Sequence, residues 1–232
     1  MPPKPLRLPS RALPPASNHH IQRRTFLSSL LQNLPNSPEA TQTLTASRRL
    51  PYNHKHLYTL ISDIDSYSSF LPYCSSSRVT QWTSTPDPIY NRKWPTCADL
   101  TAGWGGLEQT YTSRVHCIPG SVVEALSGDG AKSGIPADVL AAHGLTDELG
   151  NGNSGRGVDE EGVFKTLVTT WTVAPIKVEG DRREWSDVHL NIRFQFANPL
   201  YGAVSSAVAD KVAPFMIEAF VKRARKVLGS SD

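Results

Sequence analysis

Cysteine is scarce in this chain. Cys74, Cys97 and Cys117 are the only three in 232 residues, an odd number with no CxxC spacing. A disulfide framework or a zinc knuckle is therefore excluded, and the residues read as reduced thiols. Long apolar runs are missing too. No stretch reaches the roughly 18 residues that a membrane-spanning helix requires, and the best candidate, near the C-terminus, is interrupted by Asp210, Lys211 and Glu218. Acid is missing from the first 38 residues, which carry Lys4, Arg7, Arg11, Arg23 and Arg24. From residue 51 onward 17 basic side chains face 20 acidic ones, so the net charge of +3 belongs to the N-terminal segment. An excess that small and that localised does not mark a nucleic-acid binder.

Segment 1–40, rich in Arg, Ser and Pro and with no acid before Glu39, has the composition of a mitochondrial transit peptide. The run Arg23-Arg24-Thr25-Phe26-Leu27-Ser28 resembles a matrix-processing site, with cleavage expected after Phe26. No apolar core of secretory type follows the charges. A second biased segment, 128–162, holds nine of the 16 glycines and no aromatic residue. Such a stretch buries too little apolar area to offset its ordering entropy, so it predicts a flexible insertion with at most a short helix at Ala137–Ala142. Residues 41–232 outside this insertion amount to one domain.

Within that domain the hydrophobic period is clear. Asn53 is placed to cap a helix whose stripe runs through Leu57, Leu60, Ile61 and Ile64. A second short turn is predicted over Asp63–Phe70, ending before Pro72. Alternation at Ala98, Leu100, Ala102 and Trp104 predicts a strand. So does Leu107–Cys117, with Tyr111, Val115 and Cys117 on one side and His116 on the other. Ser121–Leu126, Leu167–Val173 and Val188–Phe196 follow with the same period. A long helix starts after Asn198-Pro199, with its apolar stripe placed at Val204, Ala207, Val208, Val212, Phe215, Met216, Ala219, Phe220 and Val227. Pro214 lacks the donor for the carbonyl of Asp210 and predicts a bend. The whole is an α+β domain: a curved antiparallel sheet of about six or seven strands wrapped around the C-terminal helix. The space between them becomes a pocket wherever side chains do not fill it.

Catalytic machinery is hard to find. There is no GxSxG elbow and no HExxH. Gly103–Gly106 lacks the length and the Lys-Ser/Thr of a phosphate loop. The acid cluster Asp159-Glu160-Glu161 lies in the insertion, and Cys74 has no base beside it in sequence. No catalytic residue, metal ligand or catalytic cofactor is assigned.

Four segments resemble the mitochondrial coenzyme Q-binding proteins of the START and polyketide-cyclase superfamily: SRRLPYNHKHLYTLISDIDSYSSFLPYC from Ser47, YTSRV at Tyr111–Val115, LVTTWTVAP at Leu167–Pro175, and VHLNIRFQFANPLY from Val188. The resemblance implies a helix-grip fold and a non-enzymatic protein that binds ubiquinone in the grip. It further implies support of the respiratory chain or of quinone biosynthesis from the matrix face of the inner membrane. A quinone host needs a deep apolar channel with one or two hydrogen-bond donors near one end. The inward strand faces and the helix stripe nominate Trp104, Tyr111, Trp171, Phe194 and Phe196 as lining. Leu71, Val212, Phe215, Met216 and Phe220 complete the set. Lys222, Arg223, Arg225 and Lys226 complement the negative end of the helix, and they also suit reversible docking on an anionic bilayer, at about 1 kcal/mol per cation. Two other functions fit the same fold: an aromatase/cyclase-like enzyme, which would need acid–base groups inside the pocket, and a phospholipid or sterol transfer protein.

Overall fold

The computed structural model describes residues 41–104, 107–146, 164–197 and 199–229, without the side chains of 104, 107 and 199–210. The chain divides into two units, 1–35 and 36–232, and every described residue belongs to the second. The expected transit segment 1–40 thus lies outside the described residues.

Alternating side chains build β1 (Gln42–Leu50), after which Asn53 turns the chain into α1 (His54–Ile61). The Asn53 side chain accepts from the N–H of Lys55 at 2.7 Å, the predicted cap. Leu57, Tyr58, Leu60 and Ile61 are buried on one face. The following turn, Ile64–Ser69, is 3-10 helical and buries Ile64 and Tyr67. Then come β2 (Cys74–Trp82), β3 (Pro95–Trp104), β4 (Leu107–Ile118) and β5 (Val122–Ser127). A short helix α2 (Ala137–Ala142) precedes β6 (Phe164–Ile176), β7 (Trp185–Phe196) and the long α3 (Pro199–Leu228).

The seven strands form one antiparallel sheet in the order β1-β7-β6-β5-β4-β3-β2. Consecutive hairpins from β2 to β7 explain all of that order except β1, which pairs with β7 from Gln42↔Phe194 to Leu50↔Ser186. The first two strands therefore lie at opposite edges, and α1 with the 3-10 turn carries the chain between them. α1 packs on β5, β6 and α3, while α3 packs on β1 and β7. One core between sheet and helices results, with Leu57, Ile61, Val115, Trp171, Leu190, Ile217 and Phe220 at its centre.

The structure departs from the sequence pattern in three places. β2 has no readable period because it is an edge strand: its Ser-rich residues are mostly exposed, and its pairing with β3 is broken by irregularities after Cys74 and Val79. Among the described side chains the buried stripe of α3 is Ala213, Ile217, Phe220, Val221 and Ala224, whereas Phe215 and Val227 are 47% and 48% exposed; the side chains of Val204, Ala207 and Val208 lie outside the described part. Small side chains at 213 and 224 let the helix lie close to the sheet and turn Ile217, not Phe215, inward. The third concerns residues 128–146, which the glycine content assigns to a flexible insertion. Here they pack on the sheet face opposite α3: Ala131 joins Leu126 and Val168, while Ile135 and Leu140 join Ile118. Residues 147–162 lie outside the described part. α3 continues as one helix through the exposed Pro214.

Candidate functional site

Along the inner face of the grip the side chains are buried toward one end and half-buried toward the other. Along β7, Val188, Leu190, Ile192 and Phe194 are buried and Phe196 is half-buried. Along β6, Val173, Trp171 and Leu167 are buried and Phe164 is half-buried. On β4, Cys117, Val115 and Ser113 are buried while Tyr111 is half-buried. The half-buried ends meet. Phe164 stacks on Phe196 with ring centroids 5.2 Å apart, and it touches Tyr111 and Phe194 edge-on at 6.0 and 6.2 Å. Met216 and Val212 of α3 and Leu100 of β3, also half-buried, pack against the buried core. Rings in this arrangement present an apolar, shape-adaptable wall.

Polar groups inside this apolar grip are few. Ser113 and Ser127 are directly opposed on β4 and β5, with their hydroxyl oxygens 2.6 Å apart and both side chains buried. Strand alternation places them on the same face as Val115 and Val123, toward the helix. The Trp171 indole N–H is buried without a hydrogen-bond partner and its ring lies against Phe220 at 5.3 Å, while the buried Tyr58 hydroxyl lies beside the Cys117 thiol. Unpaired buried donors are uncommon in folded proteins and are costly to leave unsatisfied. Sequence reasoning passed over Ser113 and Ser127. The available signal was a serine in the inward register of β4, between Tyr111 and Val115.

The thiols and phenols here are poor nucleophiles and bases. Burial pushes the Cys117 thiol up to about 12, and burial raises Cys74, Tyr58 and Tyr111 as well. Among the described residues the one buried acid–base pair lies on the other side of the sheet. His116 Nδ1 stands 3.8 Å from Glu124 Oε2, beneath residues 131–135. Burial opposes the charge of Glu124, but His116, the hydroxyls of Ser133 and Thr170 and the N–H of Gly134 together hold its carboxyl below the usual range. The pattern predicted His116 to face outward. It does, yet the cover from 131–135 leaves it buried. Among the described residues no group of three His, Cys, Asp or Glu side chains is placed to hold a metal.

The remaining nominated residues separate into three places. Leu71, Trp171, Phe194 and Phe220 are core residues of the grip, and Tyr111, Phe196, Val212 and Met216 are half-buried and pack against that core. The side chain of Trp104 lies outside the described part. Phe215 is the exception: it lines an outer groove of about 540 Å³ between α3 and Ser69–Pro72. Lys222, Arg223 and Lys226 border that groove, whereas Arg225 is exposed and does not.

A curved antiparallel sheet gripping a C-terminal helix, with an apolar inner face, defines a helix-grip ligand-binding domain. A START superfamily protein from Mycobacterium smegmatis shares the fold, with a TM-score of 0.53 at 9% identity over 80% of this chain and 98% of that one. Residues 50–221 match the family model described as polyketide cyclase / dehydrase and lipid transport. The chain belongs to that family and, within it, to the coenzyme Q-binding proteins. It is 32% identical to the mitochondrial coenzyme Q-binding protein of Schizosaccharomyces pombe, over 78% of this chain and 85% of the relative. With that of Eremothecium gossypii it shares 28% identity over 95% and 87%. A ribosome association toxin of Escherichia coli is 26% identical over 77% and 84%. Among the described residues no helix is long and apolar enough to cross a membrane.

Proposed function

We propose that this protein is a non-enzymatic carrier or chaperone of ubiquinone. The observation that carries the reading is the polarity of the inner face. Half-buried Tyr111, Phe164, Phe196, Val212 and Met216 pack against an apolar core, and the buried hydroxyl pair Ser113–Ser127 lies on the same face of the sheet. An isoprenoid tail takes the half-buried apolar side chains, and a quinone carbonyl accepts from a hydroxyl of the pair or from Trp171 or Tyr58. The names of the relatives support the cargo and a mitochondrial setting. From the acid-free N-terminal segment we infer import and residence on the matrix side of the inner membrane, in exchange with respiratory or quinone-biosynthesis complexes.

A cyclase-like enzyme needs an acid or base facing the cavity. The buried pair His116–Glu124 faces the opposite way and is held by the covering segment, which favours carriage. Organic extraction of the purified protein followed by mass spectrometry tests the proposal. Ubiquinone in near-stoichiometric amount is expected; a phospholipid or sterol in its place would overturn it.

A further inference from the structure

From the outer groove between α3 and Ser69–Pro72, we infer that the protein carries a second lipid site, one that holds a single anionic phospholipid of the bilayer by its phosphate. The site is separate from the grip and does not depend on which cargo the grip holds.

The groove has two kinds of wall. Phe70, Pro72, Phe215 and Ala219 make an apolar floor. Lys222, Arg223 and Lys226 make a cationic edge, with Lys222 and Lys226 about one helical turn apart along α3 and Arg223 beside Lys222. The acid at the border, Glu218, is already engaged: Arg48 pairs with it from β1. Among the described residues no carboxylate forms an ion pair with the three cations.

Arg223 adds an independent observation. Its guanidinium lies over the Phe70 ring, 5.7 Å from the centroid, and its Nε is buried without a hydrogen-bond partner. Arg223 as a whole is half-buried and lines the groove, and a phosphate oxygen is the acceptor that a guanidinium matches best. The ring holds the fork in place beforehand.

Exposure of the surroundings points to a bilayer as the source of that phosphate. Phe215 is 47% exposed, and Tyr73, next to Pro72, is 36% exposed. Tyr73 also has φ 65°, a left-handed conformation that bulky side chains avoid. An aromatic held out at a strained position beside a basic groove suits the headgroup level of a membrane, where Tyr side chains concentrate. A soluble anion would use the cations alone and leave Phe215 and Tyr73 without a role.

The test titrates the full chain by calorimetry with short-chain phosphatidylglycerol below its micelle concentration, and separately with glycerol phosphate. Vesicles of phosphatidylcholine with and without phosphatidylglycerol complete the set. One lipid per chain is expected, with glycerol phosphate binding far more weakly. Arg223→Lys keeps the charge but loses the fork, so lipid affinity should fall about tenfold. Phe215→Ser keeps every charge and should weaken lipid binding about fivefold. Binding that follows net charge alone, with both variants matching the parent, overturns the site. Equal affinity for glycerol phosphate overturns the lipid assignment. Quinone content is measured on the same preparations: lipid binding lost in Arg223→Lys with quinone retained separates the two sites, and a quinone-free parent that still binds lipid sinks only the carrier reading.

Discussion

Ser113 and Ser127 face each other across β4 and β5 with their oxygens 2.6 Å apart, buried on the side of the sheet that faces α3. A hydroxyl pair in an apolar grip satisfies itself when the grip is empty, and one of its protons is free to turn toward a ligand. Removing one member leaves the other unpaired at a cost of about 1–3 kcal/mol, whereas removing both is close to neutral. Ser113→Ala should therefore lower the urea midpoint and Ser113→Ala/Ser127→Ala should largely restore it. Extracted quinone is expected to stay low in both. Recovery of quinone with recovery of stability would show that the pair is structural only.

Phe196 ends the inner face of β7, half-buried and stacked on Phe164. Phe196→Asp places a carboxylate where an isoprenoid tail would lie, and desolvating it under the ligand costs several kcal/mol. The protein is expected to keep its circular dichroism spectrum, because water still reaches this position, and to lose bound quinone. A folded variant that still yields quinone would remove β7 from the lining.

Glu124 ties residues 133–134 to the outer face of the sheet. Its folded-state pKa is depressed, so its contribution to stability is present above the ordinary carboxylate range and lost as pH falls through the lowered value. Denaturant unfolding across a pH series should show that acid loss in the parent. Glu124→Gln is expected to be less stable at neutral pH by about 1–3 kcal/mol and to show a flatter acid limb. An unchanged acid limb would mean that other carboxylates set it.

Tyr73 stands at φ 65° with its ring partly in solvent. Tyr73→Asn relieves roughly 1 kcal/mol of backbone strain, which offsets the ring contacts it gives up. The melting temperature should hardly move, while binding to anionic vesicles weakens. Vesicle binding equal to the parent would separate Tyr73 from the membrane-facing surface.

Short-range features of this fold were legible in the chain. The Asn53 cap, the α1 stripe, the alternation of β7 and the six residues of α2 depend on neighbours within one or two turns, and the structure reproduces them. β2 was not legible, because an edge strand with polar residues on both sides has no period to detect. The packing of 128–146 was hidden for another reason. Its glycines and small residues say nothing of the Glu124 carboxylate and the apolar patches at Ile118 and Val168 that await it on the sheet.

The sequence by itself determined the helices and the strands with a clear period, the apolar inner face and the family, since each follows from local periodicity or from residues read in order. Only the tertiary structure decided which side of α3 looks inward, because a helix apolar on two sides can be seated either way. Ala213 and Ala224 settle it by allowing close approach to the sheet. The same rotation leaves Phe215 outside and brings it beside Phe70 and Pro72, about 145 residues earlier in the chain, which is how a groove with Arg223 at its edge comes to exist. No stretch of sequence encodes that meeting; it arises from how one long helix lies against the corner of the sheet.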